Sequence, residues 1–369
     1  MKDYLKAYEI VMTTLSPVFV GSGHEYAKKE YLFLSDNRIG ILDMQKLCML
    51  MKTKGISEEF EKYYINDNKT PLDVWVNNHG ISETDIYECT RYIISRGDNV
   101  LSRKTRTQIM EHIKDPYENP YIPGSSIKGM LKTIILSGML IENGKKYDFE
   151  RNSFLRDVNT RESRTRYMKR NIANIETKAF NTLGYNADKL SDSVNSNMSG
   201  LIVGDSDALS NEQMVLCQKI ERHTDGTEKR LNLLRECIKP GTEIRFVLTL
   251  DETRFPLGIE EILEYIDIFD KMYYESFVRY YKGMECLSQG TVFLGGGTGY
   301  LTKTITYPLL GYEKAIDVVP RIFENSGVSR EHKHYMDKRL KVSPHILKMT
   351  KFEGRYYQMG MCNFRVKGK

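Results

Sequence analysis

The chain has 369 residues, 40% of them hydrophobic and 28% charged, with a net charge of +5. That length suits about two to three domains of roughly 150 residues and can bury a core without disulfides or structural metal. No apolar run approaches the ~20 residues of a membrane span, and nothing before Glu9 reads as a signal peptide, so a cytoplasmic protein with no membrane contact is expected.

In chain order, Tyr8 to Leu15 alternates as a strand, ends at Ser16-Pro17, restarts over Val18 to Val20 and breaks at Gly21-Ser22-Gly23. Tyr31 to Leu34 and Arg38 to Leu42 flank a hairpin turn. Residues 43–115 read as mostly helical. Pro120 to Ser126 opens a helix capped by Ser125 or Ser126, with Ile127, Leu131, Ile134 and Ile135 as its apolar face. Residues 151–199 lose all periodicity, the pattern of a long basic insertion that orders on binding. Strand signals return at Gly200 to Val203, Met214 to Cys217 and Glu243 to Leu250.

A second unit starts near Asp251. Its helix carries Ile259, Ile262, Ile266, Phe269, Tyr273, Phe277 and Tyr280 at helical spacing and stops at Gly283. Thr291 to Leu294, a glycine-rich loop and a further helix follow, then strands at His345 to Thr350 and Tyr356 to Phe364. Two units, 1–250 with insertions at 43–115 and 151–199, and 251–369, give an α+β fold.

The charge is concentrated. Residues 151–180 carry +5 and residues 329–369 carry +8, leaving −8 on the rest, the distribution of a polyanion binder. Gly295, Gly296, Gly297 and Gly299 let backbone N–H groups approach a phosphate, with Lys303 as its partner, yet they spell no nucleotide fingerprint. Ser125, Ser126, Lys128 and Lys132 at the helix opening make a second anion site. Asp205 and Asp207 have the spacing of paired metal-binding carboxylates, a spacing that Asx-turns also produce. His332 and His334 lie too close for helical metal geometry and read as basic surface. The six scattered cysteines form no Cys-x-x-Cys pair and read as buried, reduced thiols. No metal or cofactor is therefore expected. His24, with Lys28 or Lys29, is the candidate general base for cutting RNA through a 2′-hydroxyl.

Leu15-Ser-Pro-Val-Phe-Val-Gly-Ser-Gly23 followed by Glu30-Tyr31 resembles the first-strand motif of the RAMP superfamily of CRISPR RNA-binding proteins. Tyr121 to Lys132, Gly200 to Ala208 and Phe293 to Gly299 are similar to its helix-opening motif, following strand and glycine-rich loop. The closing stretch, Ser343 to Thr350 and Tyr356 to Cys362, resembles the fifth-subunit family of the Csm (type III-A) CRISPR effector. The resemblance implies two ferredoxin-like β-α-β-β-α-β units and binding of CRISPR RNA near its 3′ end. It also implies neighbouring RAMP backbone subunits as partners, and maturation of that end by recruited host ribonucleases. The backbone subunit's catalytic loop aspartate has no counterpart, since no Asp lies between Ser16 and Ser35, so a non-enzymatic subunit is expected. The expected RNA contacts are Gly21, Ser22, Gly23, His24, Lys28, Lys29, the helix-opening and glycine-loop residues above, and Arg161, Arg164, Arg166, Lys169 and Arg170. A metal-independent endoribonuclease using His24 is the alternative, and an adaptor touching only protein is a third reading.

Overall fold

A computed structural model describes residues 3–66, 70–98, 100, 108–160, 167–284 and 288–368. Strand β1 (Leu5–Thr14) is followed by β2 (Gly21–Tyr26) and the hairpin β3 (Tyr31–Phe33) and β4 (Arg38–Leu42). A helical stretch comes next, α1 (Met44–Thr53), α2 (Ser57–Asn66), α3 (Leu72–Asn78) and α4 (Glu83–Glu88), then β5 (Thr90–Arg96) and β6 (Ile109–His112). Helices α5 (Gly124–Glu142), α6 (Asp148–Asp157) and α7 (Lys169–Phe180) precede β7 (Leu201–Val203), β8 (Met214–His223), β9 (Glu228–Ile238) and β10 (Glu243–Asp251). After α8 (Ile259–Ser276) come β11 (Thr291–Phe293), α9 (Thr306–Leu310), α10 (Tyr312–Ser326) and α11 (Asp337–Leu340). The strands β12 (Ile346–Phe352), β13 (Arg355–Gln358) and β14 (Met361–Val366) close the chain.

These elements form a mixed α+β fold on two sheets. The first runs β11-β14-β1-β10-β7, with every neighbouring pair antiparallel. In β10, Ile244, Phe246 and Leu248 are buried while Glu243, Arg245 and Val247 are exposed, the period of a strand with one covered face. Ile10 and Met12 of β1 share that core with Ile127, Leu131 and Ile134 of α5 and Ile262, Ile266 and Phe269 of α8. The two helices approach closely because Gly138 has no side chain: a Cβ there would stand 2.2 Å from Cδ1 of the Tyr265 ring.

The second sheet runs β2-β6-β9-β8-β5-β4-β3, and β12 also pairs with β8 and β13 with β12. Strands from both sides of residue 251 share each sheet. Helices α1 to α4 pack on the β3–β4 hairpin through a separate core containing Leu47, Met51, Phe60, Tyr63, Trp75 and Ile86.

Several expectations change. Helix ends at Glu88 rather than running to 115, since Tyr92 and Ile94 alternate inward as strand β5. The segment 151–199 is not without structure: α6 buries Phe154, and α7 buries Ile175, Ala179 and Phe180, in the main core, few apolar residues hidden among polar ones. Gly21 to Gly23 belong to strand β2, not to a break. Helix α8 stops at Ser276, before Phe277 and Tyr280. Cys48 is exposed, whereas Cys89, Cys217, Cys237 and Cys362 are buried as expected.

Candidate nucleic-acid interface

The ring of Phe19 joins the parts that the sequence singles out separately. Its backbone carbonyl accepts from Gly296 N–H at 2.6 Å. A Cβ on Gly295 would stand 2.0 Å from that same carbonyl oxygen, and Gly295 holds φ at +82°, a conformation that glycine alone adopts cheaply. The glycine loop therefore lies against the backbone before Gly21. On the other side, buried His112 of β6 accepts from Val20 N–H at Nδ1 (3.3 Å), so its Nε2 carries the proton and donates to Tyr121 O at 3.3 Å. Burial pushes its pKa down to about 3, which keeps this strut neutral.

Arg235 completes the arrangement. It sits in β9, 9% exposed, with its guanidinium 5.2 Å from the centre of the Phe19 ring. A Cβ on Gly297 would lie 2.3 Å from Arg235 Nη1, so the loop's glycine leaves room for the guanidinium. Nη1 reaches only the Met359 sulfur, at 3.7 Å, and Nε is buried without a hydrogen-bond partner among the described residues. Desolvation lowers the Arg235 pKa with no described carboxylate opposing it. The same burial brings Lys219 of β8 down to about 8, with Lys348 and Arg235 adding to the effect and Glu221 countering it. Burial and then Arg235 lower Lys303. Lys219 has Glu221 at 3.9 Å, whereas no described carboxylate offsets Arg235 or Lys303, so these two are the cations beside the loop whose chemistry suits a phosphate.

A second group surrounds β2. The Ser22 hydroxyl donates to Glu111 Oε2 at 2.7 Å, and His24 Nδ1 lies 3.7 Å from the same oxygen. Tyr26 also bonds Glu111. Burial pushes the Glu111 carboxyl up, but the Tyr26 and Ser22 hydroxyls and the Lys114 and His24 charges outweigh it and hold it below its usual range. Beneath, Lys114 and Tyr92 engage the fully buried Glu236.

The opening of α5 differs from its expected form. Pro123 occupies the cap position, and neither Ser125 nor Ser126 caps the helix. Asp205, in the loop after β7, does so instead, its carboxylate accepting from Gly124 N–H at 2.7 Å. The anion that this helix end attracts is thus already supplied from within the chain. Lys128 is half-buried, and burial lowers its pKa. Lys132 pairs with Glu176 of α7 at 2.8 Å and shares a cavity of about 120 Å3 with Lys303. Lys29 donates to the carbonyls of Tyr63 and Tyr64 at the end of α2, away from the glycine loop. Lys169 and Arg170 are exposed in the first turn of α7, where the helix dipole disfavours cations and an anion would relieve them. Arg161, Arg164 and Arg166 lie outside the described residues.

Sequence reasoning missed Arg235, Lys219 and His112. For Arg235 the signal was a charged pair, Arg235-Glu236, set between Leu233-Leu234 and Cys237-Ile238, since charges inside an apolar strand end are either paired or reserved for a ligand.

The fold is α+β, and its glycine loop packs beside the desolvated Arg235, Lys219 and Lys303. The RAMP superfamily profile matches residues 11–353, and the chain belongs to that superfamily. It is 28% identical, over 392 residues, to the CRISPR system Cms protein Csm5 of Mycobacterium tuberculosis, covering all of this chain and 99% of that protein. It is 25% identical to the Csm5 of Streptococcus thermophilus, again over its full length. Among solved structures, a chain of a Csm–crRNA–target RNA ternary complex of a type III-A CRISPR-Cas system matches with a TM-score of 0.63 at 20% identity, covering 97% of this chain and all of that one. The crystal structure of T. onnurineus Csm5 matches with a TM-score of 0.60 at 17% identity, covering 96% and 99%.

Proposed function

We propose that this chain is the RNA-binding subunit of a type III-A (Csm) CRISPR effector that caps the filament of backbone subunits near the 3′ end of the CRISPR RNA. It does not cut RNA itself and assists 3′-end maturation by recruiting separate nucleases. The observation that carries this reading is Arg235, desolvated and without a carboxylate partner among the described residues, facing Lys219, Lys303 and the Gly295–Gly299 loop. Such a cradle holds sugar and phosphate rather than base edges, as a subunit serving guides of varied sequence requires. The order β14-β1-β10-β7, with α5 and α8 on one face, follows the path β-α-β-β-α-β and supports a ferredoxin-like reading of the first sheet.

A second reading has one observation of its own. Glu111, with Ser22, gives exposed His24 a carboxylate neighbour, the arrangement a general base for 2′-hydroxyl attack would use. Mixing the purified protein with labelled CRISPR RNA, in EDTA and separately in Mg²⁺, distinguishes the two. Binding with intact RNA in both buffers is the expected result. Cleavage that persists in EDTA and disappears in His24→Ala would make the chain an enzyme.

A further inference from the structure

Four of the chain's seven histidines form a row of neighbouring rings, and the two central ones contact one buried aspartate. His334 Nδ1 lies 3.2 Å from Asp337 Oδ2, and His345 Nδ1 contacts Asp337 Oδ1 directly. Asp337 is 0% exposed, His345 4% and the His334 side chain 12%, so His334, expected on a basic surface, turns inward onto a buried carboxylate. The His334 and His345 rings stand 5.3 Å apart, with the His223 ring 5.6 Å from His345 and the His332 ring 5.9 Å from His334. The close spacing of His332 and His334 excludes a metal site only on a single helix. The ligands here come from a short 3-10 helix (His334–Met336), from α11 and from the residue before β12, which sequence spacing cannot place together.

We propose that His334, Asp337 and His345 bind one divalent transition-metal ion of the zinc type. One ligand atom from each of the three lies within 4.8 Å of the others. A tetrahedral ion at ~2.0 Å brings ligand atoms to about 3.3 Å from one another, so small side-chain rotations close the site. Two imidazoles and a carboxylate are the donor set of zinc and its neighbours, whereas Mg²⁺ and Ca²⁺ prefer oxygen alone. His223, in register with Ile346, brings its ring to 5.6 Å from that of His345, and it or water would complete the coordination.

The surroundings fix the ligands as a metal site requires. The Ser343 hydroxyl donates to Asp337 Oδ2 at 2.5 Å, which orients the carboxylate. The carbonyls of Ser343 and Pro344 accept from Tyr307 and Tyr281 at 2.6 and 2.7 Å, holding the backbone that leads to His345. The ion would clip the basic segment around residues 330–341 to β12 and the end of β8. This inference stands independently of the RNA-binding reading.

The test uses the full chain without a histidine tag, stripped with a chelator. Zn²⁺ is titrated against a chromophoric chelator, and bound metal is counted by mass spectrometry. One ion per chain is expected, not displaced by Mg²⁺, with affinity reduced at least tenfold in His334→Gln and in His345→Gln. Co²⁺ should give the visible absorption of a tetrahedral site on the native chain, and half-buried His334→Gln should abolish it. No zinc retention, retention unchanged in His334→Gln, or a Co²⁺ spectrum of the hydrated ion would each leave His334–Asp337–His345 as a hydrogen-bonded lock only.

Discussion

At the scale of single residues, buried charge decides what the interface can do. Lys219 titrates at about 8 in the folded chain, well below the ~10.4 of a free lysine. Phosphate beside it favours the protonated form, so RNA binding takes up a proton once the pH exceeds that value. Affinity at fixed salt should therefore fall as pH rises from 7 to 9, and Lys219→Gln should be weaker at pH 7 with a flatter profile. Parallel profiles would separate Lys219 from the RNA. Asp270 of α8 works in the opposite sense. Burial, then Asp267, raise it to about 7, and its Oδ1 has no hydrogen-bond partner among the described residues. Between the unfolded value near 4 and 7, the folded state holds a proton that the unfolded chain has released, so this group lowers stability as pH rises through that window. Asp270→Asn should be more stable at pH 8 and should lose that part of the slope, as urea melts across pH would reveal. The glycine loop and Lys303 were legible in the sequence because consecutive glycines are a local signal. Arg235 was not, because its meaning depends on what surrounds it across the sheet.

At the scale of elements, glycines mark where backbones touch. Gly295→Ala places a Cβ 2.0 Å from the Phe19 carbonyl at φ +82°, while Gly299, at φ +106°, has open space around its Cβ position. Both substitutions strain the backbone by about 1–3 kcal/mol, but only the first also pushes the loop off Phe19. Chemical denaturation should find Gly295→Ala clearly the less stable, and its RNA affinity should drop while that of Gly299→Ala changes little. Equal stability losses would contradict the packing described for the loop. Helix α5 was readable because Ile127, Leu131, Ile134 and Ile135 repeat over several turns. Helices α6 and α7 were not, since few buried residues anchor each against a run of Asn, Arg and Glu. The cap of α5 was hidden for another reason: Asp205 arrives from 81 residues away.

For the whole molecule, the first sheet places β14 between β11 and β1, pairing Ile10 with Val366 across nearly the full chain. Periodicity identifies strands but carries no information on such pairing, so the α+β class was legible and the interleaving of the two ends was not. That interleaving carries the first loop, the glycine loop and β9 to one place, and it gathers the basic residues of the proposed RNA site. The most direct measurement is the salt dependence of binding to single-stranded CRISPR RNA for the native chain and for Lys219→Gln/Arg235→Gln/Lys303→Gln, with folding checked by circular dichroism. If each cation neutralises a phosphate, the slope of log K against log salt should shrink by about 2, near 0.7 per contact. A folded triple variant with unchanged affinity and slope would contradict the account.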